Sequence, residues 1–269
     1  MAAYPPAVAR LSPAPDQPSA VAGALGDNDW SQLEVTALGT GVRLAVRGGG
    51  PVLLIDARQL LDDLDRKWNP TRPGSLVAQL EEANGAAVPV DDDTFALVEA
   101  SVAAAEATDG AVGSQGLSLN PVLTRVTVPA DAVLDLDDLA RARAADAVAE
   151  ALVEAGAEGA VVDMGGALRL AGSVGDGRAW VVVVPDPDEP DGPPLAVLGL
   201  AQGAAVTIDR PTGDLASVTV LAPDAATAVV LAAAADPDAI AVSGRPALMV
   251  DAGGSHHRLG GVEAYLRPD

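Results

Sequence analysis

Carboxylates and glycines gather at the two ends of one stretch of this chain, residues 134–166, LDLDDLARARAADAVAEALVEAGAEGAVVDMGG. Asp135, Asp137 and Asp138 stand at its start, and Asp163 precedes Gly165 and Gly166 at its end. Acids of this kind supply the hard oxygens that Mg²⁺ takes as ligands, or they move protons. A glycine pair lets the backbone turn sharply and approach a ligand closely. Between the two ends, the apolar spacing predicts a helix over 137–155 and a buried strand over 159–163. The acids and glycines are thus the two termini of one helix–strand unit, where a small-ligand site is to be sought first. Asp137 and Asp138 have three readings: they suit the positive N-terminus of the helix, they repel a polyphosphate, or they hold a relocated cation.

Other residues narrow the chemistry. The chain has no cysteine, which excludes disulfides, zinc–thiolate sites, iron–sulfur clusters and thiol catalysis. His256 and His257 are its two histidines, and the glycines around them place them in a turn, away from any Ser/His/Asp arrangement. Asp91, Asp92 and Asp93 open a helix; consecutive helical side chains diverge, so they cap it rather than chelate together. Gly48, Gly49 and Gly50 have no following Lys-Ser/Thr, and read as a plain turn rather than a phosphate loop.

The net charge of −22 and an aromatic content of 2% exclude a nucleic-acid binder, which needs cations for phosphates and rings for bases. No apolar run reaches the roughly 18 residues that span a bilayer, and residues 1–28 lack the apolar core of a signal peptide. The expectation is a cytoplasmic protein with a Pro/Ala-rich flexible tail over 1–28 and one folded domain over 29–269.

The elements that must position the acids follow from periodicity. Helices are expected over 52–68, 76–83, 91–107, 137–155, 225–235 and 237–242. Strands are expected over 33–38, 42–46, 88–90, 123–128, 159–163, 167–170, 180–184, 195–198, 204–208, 217–221, 247–250 and 262–266. This mixture predicts an α+β fold, with mixed or antiparallel sheets and packed helices.

The order of motifs resembles the ApbE family of FAD:protein FMN transferases. The resemblance is carried by Leu134-Asp135-Leu136, Ala144-Ala145-Asp146, Gly165-Gly166 after a buried strand, Trp180 leading to Asp186-Pro187, and Pro211-Thr212-Gly213, and it runs from about residue 30 to 269. It implies a two-lobed domain with a central cleft, and Mg²⁺-dependent transfer of FMN from FAD to a Ser or Thr of a target flavoprotein. Asp135, Arg141, Asp163, Gly165, Gly166 and Thr207 would line the flavin cleft, with Asp138 as the metal contact from the loop; no catalytic residue is assigned. The family motif LDLGGIAKGYAAD reads LDLDDLARARAAD here, so acids stand where glycines are expected. The family's metal-binding Asp and Thr, four residues apart on the helix after Ala222-Pro223, correspond to Val229 and Ala233. The alternative is therefore a catalytically inactive pseudoenzyme that binds a flavin nucleotide or a protein partner.

Overall fold

The computed structural model describes residues 8–10, 30–175, 177–189, 192–209 and 214–267. In chain order the strands and helices are β1 (Val8–Arg10), β2 (Trp30–Ala37), β3 (Thr40–Arg47), α1 (Val52–Trp68), α2 (Leu76–Glu82), β4 (Ala87–Pro89) and α3 (Asp92–Ala107). There follow β5 (Ser118–Asn120), β6 (Arg125–Thr127), α4 (Asp137–Glu154), β7 (Gly159–Met164), β8 (Ala167–Gly172) and β9 (Trp180–Val184). The chain continues with β10 (Ala196–Leu200), β11 (Gly203–Asp209), β12 (Leu215–Ala222), α5 (Ala225–Ala234), α6 (Pro237–Ser243), β13 (Ala247–Asp251) and β14 (His256–Leu259).

Eight strands form one sheet, in the order β14-β13-β12-β11-β8-β7-β3-β2, and every neighbouring pair in it is antiparallel. Residue alternation assigns its two faces. Val162 joins a core with Leu139, Val148 and Leu152 of α4 and Leu61 of α1, while its neighbour Val161 joins Trp180, Val182 and Leu198. Helices α1, α4 and α5 therefore cover one face, and the small sheet β1-β9-β10 covers the other. Strand β7 lies between these layers and is buried throughout, which explains why it reads in sequence as an unbroken apolar run. Trp30 meets Trp180 edge-on, with ring centroids 5.9 Å apart. A third sheet, β4-β6-β5, packs Val126 against the α1/α4 core.

Helix α4 buries Ala140, Ala142, Ala144, Ala145 and Ala149 beside its leucines and Val148. Small side chains on that face let the helix lie close to β7, β8 and α5. Its C-terminus turns directly into β7: Ala157 N–H donates to Leu152 O, and Glu158 N–H to Arg47 O. The helix thus runs antiparallel to β7. Its 18 residues extend roughly 27 Å, against about 20 Å for the six residues of β7. The first turn of α4 therefore overhangs the β7–β8 hairpin.

The helices expected from sequence form within a residue or two of their bounds, and the fold class is α+β with antiparallel sheets. Some expectations are corrected. A strand expected over 262–266 is a one-turn 3₁₀ helix, Val262–Ala264, followed by a lone bridge from Leu266 to Leu198. His256 and His257 lie in β14 rather than in a turn. The Asp251 carboxylate accepts from Gly253 N and Ser255 N, which closes the turn early and returns the chain to the ladder at His256. Strands β1 and β5 were not expected. Apart from Val8–Arg10, which pairs parallel with β9, residues 1–28 lie outside the described residues. So do Pro211, Thr212 and Gly213. Among the described residues, no helix is long and apolar enough to cross a membrane.

Candidate active site

The β7–β8 hairpin brings Asp163, Gly165 and Gly166 together. Gly165 and Gly166 take φ of +60° and +93°, which a tight two-residue connection requires. Gly166 N–H donates to Asp163 Oδ1 at 3.3 Å. Asp163 is 2% exposed, and Oδ2, at 3.4 Å from an Arg43 Nη, has no hydrogen-bond partner. Arg43 and Asp163 are register partners on β3 and β7, so their side chains share a face. Burial pushes the Asp163 carboxyl up to about 6, with Arg43 and the Gly166 N–H opposing.

This shift fixes a pH dependence. A carboxyl near 6 when folded and near 3.8 when unfolded binds more protons in the folded state between those values. Its contribution to stability is then full below about pH 4 and lost as pH rises through 6. Two units correspond to about 2–3 kcal/mol. In urea unfolding at pH 4.5 and 7.5, Asp163→Asn should reduce the acid-side advantage of the wild type by about 2 kcal/mol. An unchanged difference between the two pH values would remove Asp163 as its source.

Thr207 lies on β11, one residue past the Val206–Ala167 pair and hence beside Gly166. Its hydroxyl is spent on Thr219 Oγ1, at 2.8 Å across the β11–β12 ladder. Asp135 is half-buried before α4, accepting from the backbone N–H groups of Gly113 and Asp137. Burial raises its pKa, and Asp138 and Asp137 raise it further. The loop beneath is tied to α3 by hydrogen bonds and close packing. Ser101 and Ser114, both buried, are 2.5 Å apart at Oγ and both bond to Asp135 O. Gly113 sits so close to α3 that a Cβ would lie 2.1 Å from Ser101 O.

Asp137 and Asp138 occupy the first turn of α4, whose N-cap is Leu136 with no side-chain cap. Asp138 is half-exposed and binds an Arg141 Nη at 2.5 Å. The one cation of that turn is thus engaged by its own neighbour, and Arg141 cannot act as a base at neutral pH. Asp135, Arg141 and Asp138 form one cluster at the start of α4; Asp163, Gly165, Gly166 and Thr207 form another at the hairpin beneath its overhang.

Sequence reasoning assigned no site role to Asp146. It accepts from Ala225 N at 2.8 Å and Ala226 N at 3.1 Å, the first N–H groups of α5, and lies 3.1 Å from Arg169 Nε. Burial pushes its carboxyl up to about 6 against those two donors and Arg169. The available signal was an acid flanked by alanines, Ala142, Ala145 and Ala149, on the buried side of a helix. Asp146 ties α4 to α5, the helix that follows Ala222-Pro223.

The residues of α5 do not fit a divalent cation. Val229 is 3% exposed among Val206, Val218 and Ala142, and Ala233 is 8% exposed in the α1/α4 core. Mg²⁺ needs about six oxygens, and these positions supply none. Among the described residues, no group of three His, Cys, Asp or Glu side chains could hold a metal ion. The start of α4 does not fit a bare pyrophosphate either: three carboxylates surround it, two of them in the turn whose N–H groups would otherwise attract an anion.

An eight-stranded antiparallel sheet with helices on one face, a small sheet on the other, and a Gly-Gly hairpin under a long helix make up an α+β fold of the ApbE kind. The ApbE family model matches residues 38–115 and 111–208, and the chain belongs to the ApbE family. The ApbE protein of Thermotoga maritima superposes with a TM-score of 0.79 at 23% identity, covering 89% of this chain and 100% of that one. The flavin transferase ApbE of Vibrio cholerae gives 0.72 at 18%, covering 88% and 99%. The flavinyl transferase ApbE of Pseudomonas stutzeri, in its apo form, gives 0.72 at 18%, covering 90% and 99%. A sequence search of curated proteins finds no match.

Proposed function

We propose that this chain is a non-transferring member of the ApbE family, a pseudoenzyme that keeps the fold and does not pass FMN from FAD to a target. The observation that carries this reading is the α5 face. The two positions that resemblance assigns to metal ligands are Val229 and Ala233, packed into apolar core. Transfer of a phosphoryl-linked group needs its charge neutralised, ordinarily by a metal ion. Around α4 the charge has the wrong sign: Asp135, Asp137 and Asp138 stand together, and Arg141 is held by Asp138. An FAD pyrophosphate placed there without a cation meets repulsion on the order of one to several kcal/mol.

An active FAD:protein FMN transferase is the second reading, favoured by the length of the family match. One assay separates the two. The chain is incubated with FAD, Mg²⁺ and a flavoprotein domain bearing an acceptor Ser or Thr, beside an active ApbE enzyme. The expected result is no AMP and no covalent flavin on the target, with FAD fluorescence unquenched. Mg²⁺-dependent release of AMP would overturn the proposal.

A further inference from the structure

A recess of about 310 Å³ opens at the opposite end of the large sheet from the Gly165–Gly166 hairpin, where β11 begins and β12 ends. Leu200, Leu221, Pro223 and Pro246 give it apolar walls. Its polar lining residues are Gln202, Arg245, Tyr265 and Arg169. Among the described residues no carboxylate lines it, in a chain whose acids outnumber its basic residues 38 to 16.

The polar groups differ in what they have left to give. Arg169 is committed: one Nη donates to Leu170 O and Gly203 O, Nε lies 3.1 Å from Asp146, and the other Nη lies 3.6 Å from Glu150. It builds the wall and carries little free charge. The guanidinium of Arg245, the amide of Gln202 and the hydroxyl of Tyr265 make no hydrogen bond or ion pair with any described residue. Arg245 and Tyr265 are only part-exposed. Three donor-bearing residues with no side-chain acceptor among the described residues, Gln202 exposed and the other two part-exposed, thus line one small recess that is apolar in part. A guanidinium fork matches the paired oxygens of a carboxylate or phosphate, and the volume suits a small metabolite.

We infer that this recess binds a small organic anion, with its carboxylate or phosphate on Arg245, Gln202 and Tyr265 and an apolar body against Leu200, Leu221 and the two prolines. The site is separate from the hairpin end of the sheet and does not depend on whether flavin is bound or transferred. Its wall residue Arg169 also contacts Asp146, which holds the start of α5.

The test is titration of the full chain with phenyl phosphate and with benzoate, followed by calorimetry and by the fluorescence of the protein's own aromatic residues. Saturable binding of at least one probe is expected, and the tighter of the two identifies the preferred group. Arg245→Gln should weaken it about tenfold or more, the loss of one charge-assisted contact. Tyr265→Phe should weaken it less, and Arg58→Gln, on the exposed side of α1, should leave it unchanged. Circular dichroism confirms that each variant folds. No saturable binding of either probe, or equal binding by wild type and a folded Arg245→Gln, overturns the inference.

Discussion

Asp146→Ala should lower the unfolding free energy by about 3–5 kcal/mol at neutral pH, the usual result of removing one partner from a buried charged pair. The substitution strips two N–H groups at the start of α5 of their acceptor and leaves Arg169, 12% exposed at its side chain, without its nearest carboxylate. Glu150 does not replace it, because it lies 3.6 Å away and is 61% exposed. The ionised Asp146 is itself unfavourable by burial, as its pKa of about 6 shows. The loss therefore reflects what the deletion abandons rather than a large net benefit from the pair. Asp146→Asn keeps an acceptor for one N–H and gives up the charge and the second acceptor, so it should cost less than the alanine change, roughly half as much. Urea unfolding of the three proteins at pH 7 decides it. An alanine variant within about 0.5 kcal/mol of wild type would show that Asp224, which caps Thr227 N, suffices to hold α5 alone.

The parts of this fold that were legible in the sequence are those closed by short-range contacts. Ser75, Asp91 and Asp224 each cap the N–H three residues on, at Ala78, Thr94 and Thr227, and each stands before an apolar period. The Asp163–Gly166 hairpin was readable for the same reason, since its bond spans three residues. What sets the site's electrostatics is long-range. Arg43 reaches Asp163 through strand register, and Asp146 meets Ala225 across 79 positions; no local pattern encodes either. Strand β5 follows a Gly-rich stretch, residues 110–116, and its three residues do not stand out from that irregular background. The acids at the start of α4 could be counted but not interpreted. Only in the folded chain does Asp138 turn to Arg141 and Asp135 lie against the Ser101–Ser114 loop.

Val229→Asp should destabilise the protein by several kcal/mol at pH 7 and by less at pH 5. The introduced carboxyl would enter a cluster of Val206, Val218, Ala142 and Ile240, with no polar partner among those side chains. Burying an unpaired carboxylate is so costly that the group takes up a proton instead. Its folded pKa therefore rises above the unfolded value, and the stability it retains is lost as pH climbs through that raised pKa. Mg²⁺ should not rescue the variant, because one carboxylate supplies a fraction of the roughly six oxygens the ion requires, and Ala233, one turn on, supplies none. Thermal unfolding at both pH values, with and without Mg²⁺, separates the possibilities. A variant as stable as wild type, or one raised in Tm by Mg²⁺, would mean that this face of α5 opens onto a polar, cation-ready space. The reading of the chain as non-transferring would then lose the observation on which it rests.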